Sequence, residues 1–154
     1  MLAGSIACVL MVLITVVIHY EGLQLVSQGL ERFGLRQRPA MLVVIFSLFA
    51  LHTLEISLYA VAIRVLSGLE GTTAFSGVLA RDWSDYLYFS FTNYSSLGIG
   101  DVYPRGGVRL LSGIEALNGL MMIAWSASYS YLIMERLWGF PGGHGGQGKG
   151  DSRD

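Results

Sequence analysis

Apolar residues dominate three long stretches of this chain, residues 2–26, 40–66 and 108–138. Each is long enough to cross a hydrocarbon core of about 30 Å, which takes about 20 helical residues. The stretch between the first two, residues 28–39, is polar and holds Arg32, Arg36 and Arg38 against Glu31 alone. Residues 67–80 are rich in Gly, Ser and Thr without a period, which predicts an exposed loop. Arg81-Asp82-Trp83-Ser84-Asp85 then reads as a helix start, with acids in the first turn and either Asp82 or Ser84 as cap. The aromatic run that follows is too short to span, and it stops at Ser95-Ser96-Leu97-Gly98-Ile99-Gly100-Asp101. Gly98 and Gly100 free the backbone there. A short helix with a glycine-rich return has the form of a re-entrant loop, which at membrane depth must be buried in protein or line a watery cavity.

Composition turns this pattern into a membrane protein. The chain is 53% hydrophobic and 14% charged, where soluble domains carry roughly 25% charged residues. A formal charge of -1 speaks against a nucleic-acid partner. The single cysteine, Cys8, excludes an intrachain disulfide and reads as a packed or lipid-facing small residue. Residues 1–18 have no basic leader, so a cleaved secretory signal is not expected. The Gly-rich residues 139–154 predict a disordered tail. Basic residues concentrate in the first connector, which places it in the cytoplasm, with the N-terminus and glycine loop outside and the tail inside.

The segment Thr92-Asn93-Tyr94-Ser95-Ser96-Leu97-Gly98-Ile99-Gly100-Asp101-Val102-Tyr103-Pro104 resembles the pore loop and filter of tetrameric potassium channels, whose filter reads Thr-Val-Gly-Tyr-Gly-Asp. Arg109, and Gly119 within the third span, continue the likeness, which covers about residues 81–138. The resemblance implies that Ser96, Leu97, Gly98, Ile99 and Gly100 form an ion-coordinating filter. Carbonyls of Ser96, Leu97, Gly98 and Ile99 would bind K⁺, with the Ser96 hydroxyl as innermost ligand. It also implies an outer-mouth acid at Asp101, a gating hinge at Gly119, and a homotetramer, since one chain supplies a quarter of a filter. Ile99 stands where the family has Tyr, and Tyr88 and Phe89 stand where it often has Trp. Thr92 takes the place of a Glu that some members pair with the filter acid. These departures loosen the expected cuff around the filter and put discrimination against Na⁺ in question.

Several ionisable and polar residues lie inside the spans. Glu115 and Asn118 share one face of the third, and an intramembrane acid is functional or paired. Glu115 is expected to buttress the short helix through Ser or Tyr hydroxyls rather than face the pore. The segment Trp125-Ser126-Ala127-Ser128-Tyr129-Ser130-Tyr131 places hydroxyls at an expected cytoplasmic narrowing, and Trp138 reads as an interfacial anchor. His19 and Glu21 lie on the first span, His52 and Glu55 on the second, where an antiparallel hairpin lets the histidines meet. Three readings stay open for this group: a structural polar network, a proton sensor, or a Zn²⁺ site.

The expected fold is an all-α membrane protein of three transmembrane helices with a re-entrant pore helix and filter. Its parts are an extra helix (1–28), a cytoplasmic connector (29–39) and a pore module (40–138). Within the module lie an outer helix (40–66), an extracellular loop (67–81), a pore helix (82–95), a filter (96–101) and an inner helix (107–138). The expected activity is passive K⁺ conduction in a cell membrane, a bacterial inner membrane in the first instance, with lipid and monovalent cations as partners. A weakly selective cation channel or a non-conducting regulator of the same fold are the alternatives. No nucleophile constellation or cofactor signature is present. A nucleotide-binding glycine loop would need a preceding strand and a helix opening on the glycines, so neither an enzyme nor a cofactor beyond the permeant ions is expected.

Overall fold

The computed structural model describes residues 2–71, 74–77 and 82–139; the predicted disordered tail lies, from residue 140 on, outside them. In chain order the elements are α1 (Leu2–Phe33), α2 (Gln37–Glu70), β1 (Phe75–Gly77), α3 (Trp83–Tyr94), β2 (Val102–Pro104) and α4 (Gly106–Trp138). Three helices, α1, α2 and α4, are long and apolar enough to cross a membrane. At 32 to 34 residues each is about 50 Å long, so their polar ends project beyond the hydrocarbon.

That surplus length explains why the expected polar connector is mostly helix. Gln28, Glu31 and Arg32 continue α1, and the chain breaks only where Gly34 takes φ 53°. Pro39 falls in the first turn of α2, where a missing N–H costs no intrahelical bond. Of the two candidate caps for α3 it is Asp82, which forms a reciprocal box with Asp85. Gly139, in the left-handed conformation, closes α4 by donating its N–H to Glu135 O at 2.9 Å. The region expected to be loop also contributes a short antiparallel ribbon, Phe75 opposite Pro104 and Gly77 opposite Val102.

Helix α1 runs parallel to α4 in one register along its length. Thr15 meets Asn118, Ser27 meets Tyr129 and Glu31 meets Arg136, at sequence separations of 103, 102 and 105. Against α2 it is antiparallel, with His19 meeting Glu55 and Gly22 packed on Leu51. One apolar core joins Cys8 and Met11 of α1 to Ile56, Tyr59 and Ile63 of α2, Phe89 and Tyr94 of α3, and Leu111 and Met122 of α4. A second, toward the other end, holds Leu23, Val44, Leu48 and Ile133. His19, Glu55 and Ser126, all buried, fall between the two in sequence along their helices.

Close backbone approach holds the top of α1 to α4. A Cβ on Gly4 would stand 2.7 Å from Gly107 Cα, a contact that only helix displacement relieves. Gly4→Val is therefore expected to destabilise the fold by about 1–3 kcal/mol, seen as a lower unfolding temperature in detergent. Gly29→Val, with nothing within 4 Å, is the control and should shift it far less.

Candidate functional site

The glycine loop leaves α3 through a specific helix ending. Ser96 N donates to Asn93 O at 2.9 Å and Leu97 N to Thr92 O at 2.8 Å, the paired bonds of a Schellman motif. Its left-handed position, normally Gly, is here Ser96 at φ 58°. Among the described residues Ser96 is the only non-glycine with positive φ, a placement that costs about 1–2 kcal/mol. Gly98 and Gly100 follow at φ 52° and 81°, with no positive φ at Leu97 or Ile99. A φ that alternates in sign is the backbone pattern that gathers successive carbonyls on one side and N–H groups on the other. Leu97 and Ile99 are 67% and 55% exposed in the single chain.

Beyond the glycines, Asp101 is exposed, and its charge acts on the Tyr88 phenol of α3. Desolvation, and after it the Asp101 carboxylate, raises the Tyr88 phenol above its ordinary range. Thr92 does not reach Asp101; its hydroxyl donates to Phe89 O at 3.0 Å, and its carbonyl accepts from the loop.

Behind the loop, Glu115 is fully buried and takes hydrogen bonds from Ser90 and from Asn93, the latter at 2.7 Å. Asn93 spends its second N–H on Ser112 O at 2.7 Å, and Ser90 also reaches Ile56 O. Glu115 thus faces α3, as a buttress would. Asn118, one turn on, donates instead to Thr15 of α1 at 2.8 Å. Gly119 lies within unbroken α4, and a Cβ there would fall 2.2 Å from Tyr94 O. The structure thus gives this glycine a packing reason: it lets the last turn of α3 rest on α4.

One layer deeper, His19 Nδ1 and Glu55 Oε1 share a bond of 2.9 Å, and the Tyr94 hydroxyl donates to Glu55 Oε2. His52 Nδ1 lies 3.0 Å from the Tyr94 hydroxyl, while Ser126 Oγ sits between His19 Nε2 at 3.2 Å and His52 Nε2 at 3.0 Å. The two imidazole centroids are 5.4 Å apart. Of the four residues singled out by sequence, His19, His52 and Glu55 come together, whereas Glu21 is exposed on α1 and outside the group. Their possible ligand atoms lie within 4.8 Å of one another, yet every one is engaged in these hydrogen bonds. Ser126, expected at a cytoplasmic narrowing, instead points into this layer, because its helix face is shared with Met122 and Asn118. Tyr94, Ser90 and Asn93 were not singled out individually; their spacing around the one face of α3 turned to Glu55 and Glu115 is the signal they carry.

Three membrane-crossing helices and a short helix with its glycine loop define a multi-pass membrane protein. Residues 40–136 match the family described as Ion channel. The chain belongs to this ion channel family. It is also 38% identical over 56 residues to an uncharacterized membrane protein, YdjJ, of Bacillus subtilis (strain 168), a match covering 36% of this chain and 16% of that protein. The matched segment is thus a small part of that much longer relative. No solved structure matches the chain.

Removing the buttress tests its weight. Glu115→Ala leaves one Asn93 N–H without its acceptor, at about 1–3 kcal/mol, while the Ser90 hydroxyl keeps Ile56 O. Gly119→Ala forces Tyr94 off α4 and is expected to cost as much as other overpacking changes, about 1–3 kcal/mol. Both are read by thermal unfolding of the purified chain, with Gly113→Ala, which meets nothing within 4 Å, as the neutral reference.

Proposed function

We propose that the chain is one quarter of a potassium channel, in which α3 is a re-entrant pore helix and Ser96 to Gly100 form a four-fold selectivity filter. The observation that carries this reading is the alternation of φ sign at Ser96, Gly98 and Gly100, directly after a short helix. Rings of such carbonyls replace the hydration shell of a passing cation. The exposed Leu97, Ile99, Leu117 and Met121 supply apolar surface for neighbouring subunits of a homotetramer to cover. Asp101 concentrates cations at the outer mouth. The N-terminus and filter face outward and the Arg-rich turn between α1 and α2 faces the cytoplasm. Gly119 then serves gating by letting α4 slide or tilt beneath the pore helix rather than as a free bend.

Ser96 sharpens the reading. A left-handed serine is unfavourable where glycine is free, and a hydroxyl used as the innermost cation ligand gives a reason for serine at this position. Ile99 brings no hydroxyl with which to hold the filter from behind, which favours weaker discrimination as the second reading.

Purified protein in planar bilayers under opposed K⁺ and Na⁺ gradients is expected to reverse on the K⁺ side of zero. Reversal at zero supports the weakly selective channel, and no current under any gradient supports the non-conducting regulator. Ser96→Gly is expected to leave stability equal or slightly higher while it weakens K⁺ block or conduction. A variant identical to wild type in both removes the hydroxyl from the mechanism.

A further inference from the structure

Five side chains from four helices close on themselves. Starting at Glu55, the hydrogen bonds run to His19, to Ser126, to His52, to Tyr94 and back to Glu55. Each member makes two hydrogen bonds, so the circuit has five bonds and each bond needs one proton; His52 Nδ1 also stands 3.5 Å from Glu55 Oε2, across the circuit. Count the protons that are present. With Glu55 ionised and both imidazoles neutral, the two rings, the tyrosine and the serine bring four. One bond is then left with two acceptors facing each other, and a net negative charge lies in the apolar interior, where an unpaired charge is costly.

One additional proton removes both faults. With the proton on Glu55, its carboxyl donates to His19 Nδ1, His19 Nε2–H to Ser126, the Ser126 hydroxyl to His52 Nε2, His52 Nδ1–H to Tyr94, and Tyr94 back to Glu55. With the proton on His19 instead, the first bond reverses and the rest are unchanged. Either placement is electroneutral overall and satisfies every partner. A sixth proton would set two donors against each other and leave a net positive charge.

We propose that this circuit is a buried proton-binding site that holds one exchangeable proton beyond the neutral imidazoles and the ionised acid. Through it the proton fastens α1 to the rest of the chain. Entry is through His52, whose side chain is 19% exposed, since His19 and Glu55 are fully enclosed. Tyr94 keeps its own proton throughout. Few other ionisable groups face the site. Tyr59 of α2 has its ring 6.5 Å from that of Tyr94, Glu115 of α4 acts on Tyr94 from the far side, and Glu21 of α1 is exposed. The consequence reaches the glycine loop, because Tyr94 ends α3 and its carbonyl rests on Gly119. Losing the proton leaves Tyr94 donating to Glu55, and the circuit bond it stands to lose is the one shared with His52.

The test uses the full chain in lipid nanodiscs and does not depend on ion conduction. A His144→Ala background leaves only the two circuit imidazoles for ¹⁵N NMR, with carbonyl infrared reporting Glu55. At neutral pH the expected result is either one imidazolium beside an ionised Glu55, or two neutral rings of opposite tautomer beside a protonated one. Two neutral rings with Glu55 ionised overturn the proposal. So does stoichiometric zinc in the purified protein whose removal changes the histidine signals.

Stability supplies the second arm. As pH rises and the proton leaves, the wild-type folding equilibrium should fall by about tenfold or more, the effect of orphaning one buried polar partner. Glu55→Gln puts an amide N–H where the acid proton was, so it closes the circuit at every pH and should lack this alkaline loss. Ser126→Ala cannot close it and should be less stable than wild type at neutral pH. Glu55→Gln as unstable as Ser126→Ala across the whole range, or a wild type insensitive to alkaline pH, overturns the proposal.

Discussion

Two carboxyl groups, Glu55 and Glu115, are completely enclosed in an apolar interior, and the arrangement of the helices follows from meeting their needs. Neither has a lysine or arginine partner among the described residues. Each is satisfied by short polar side chains that must come from neighbouring helices, because no helix supplies enough from its own turn. Glu115 draws on Ser90 and Asn93, while Glu55 draws on Tyr94 and His19. All but His19 belong to α3, so the short helix is gripped between an acid on α2 and an acid on α4. In lipid, where tails are as apolar as leucine, such bonds and close packing carry the association that the hydrophobic effect drives in water.

Packing and polarity divide the work by depth. Near the start of α1, Gly4 lies against the backbone of Gly107, and farther along α4 Gly119 admits the carbonyl of Tyr94. Glycine at these points lets two backbones come closer than any side chain permits. Between the two apolar clusters the polar layer fixes rotation and register, since a helix turned by one residue would carry His19 or Ser126 out of reach. The extra helix α1 is therefore specified by a handful of residues (Gly4, Thr15, His19, Ser27) rather than by its apolar surface, most of which faces outward.

Much of this was legible in the sequence, and the parts that were not have physical reasons. Hydropathy marked the three spans, and acids before an aromatic run marked the start of α3. Helical spacing brought His52 and Glu55 to one face, and span depth brought His19 to meet them. Glu21 was grouped with them by proximity in sequence, but two residues along a helix is about 200° of rotation, and it falls on the outer side. Ser126 was assigned by its depth along α4, which says nothing about which way its face turns. The ribbon joining Phe75 and Val102 escaped because three-residue strands have no period to read. The connector was overestimated because polar residues ending a long helix look the same in sequence as a loop.

The backbone at Ser96 shows how the two acids reach the glycine loop. A Schellman ending asks for glycine, and the chain places serine there, so the rest of the structure must hold a conformation the residue resists. What holds it is the fixed last turn of α3: Thr92, Asn93 and Tyr94 supply the carbonyl acceptors, the bond to Glu115 and the bond to Glu55. On the far side the charge of Asp101 acts on Tyr88 of the same helix, so α3 influences both ends of the loop. Ile99, at the loop's middle, has no polar group with which to add a further tie. If the loop is a filter, its geometry is set by its two ends and by the neighbouring subunits, and its fidelity rests on how firmly the two buried acids hold α3.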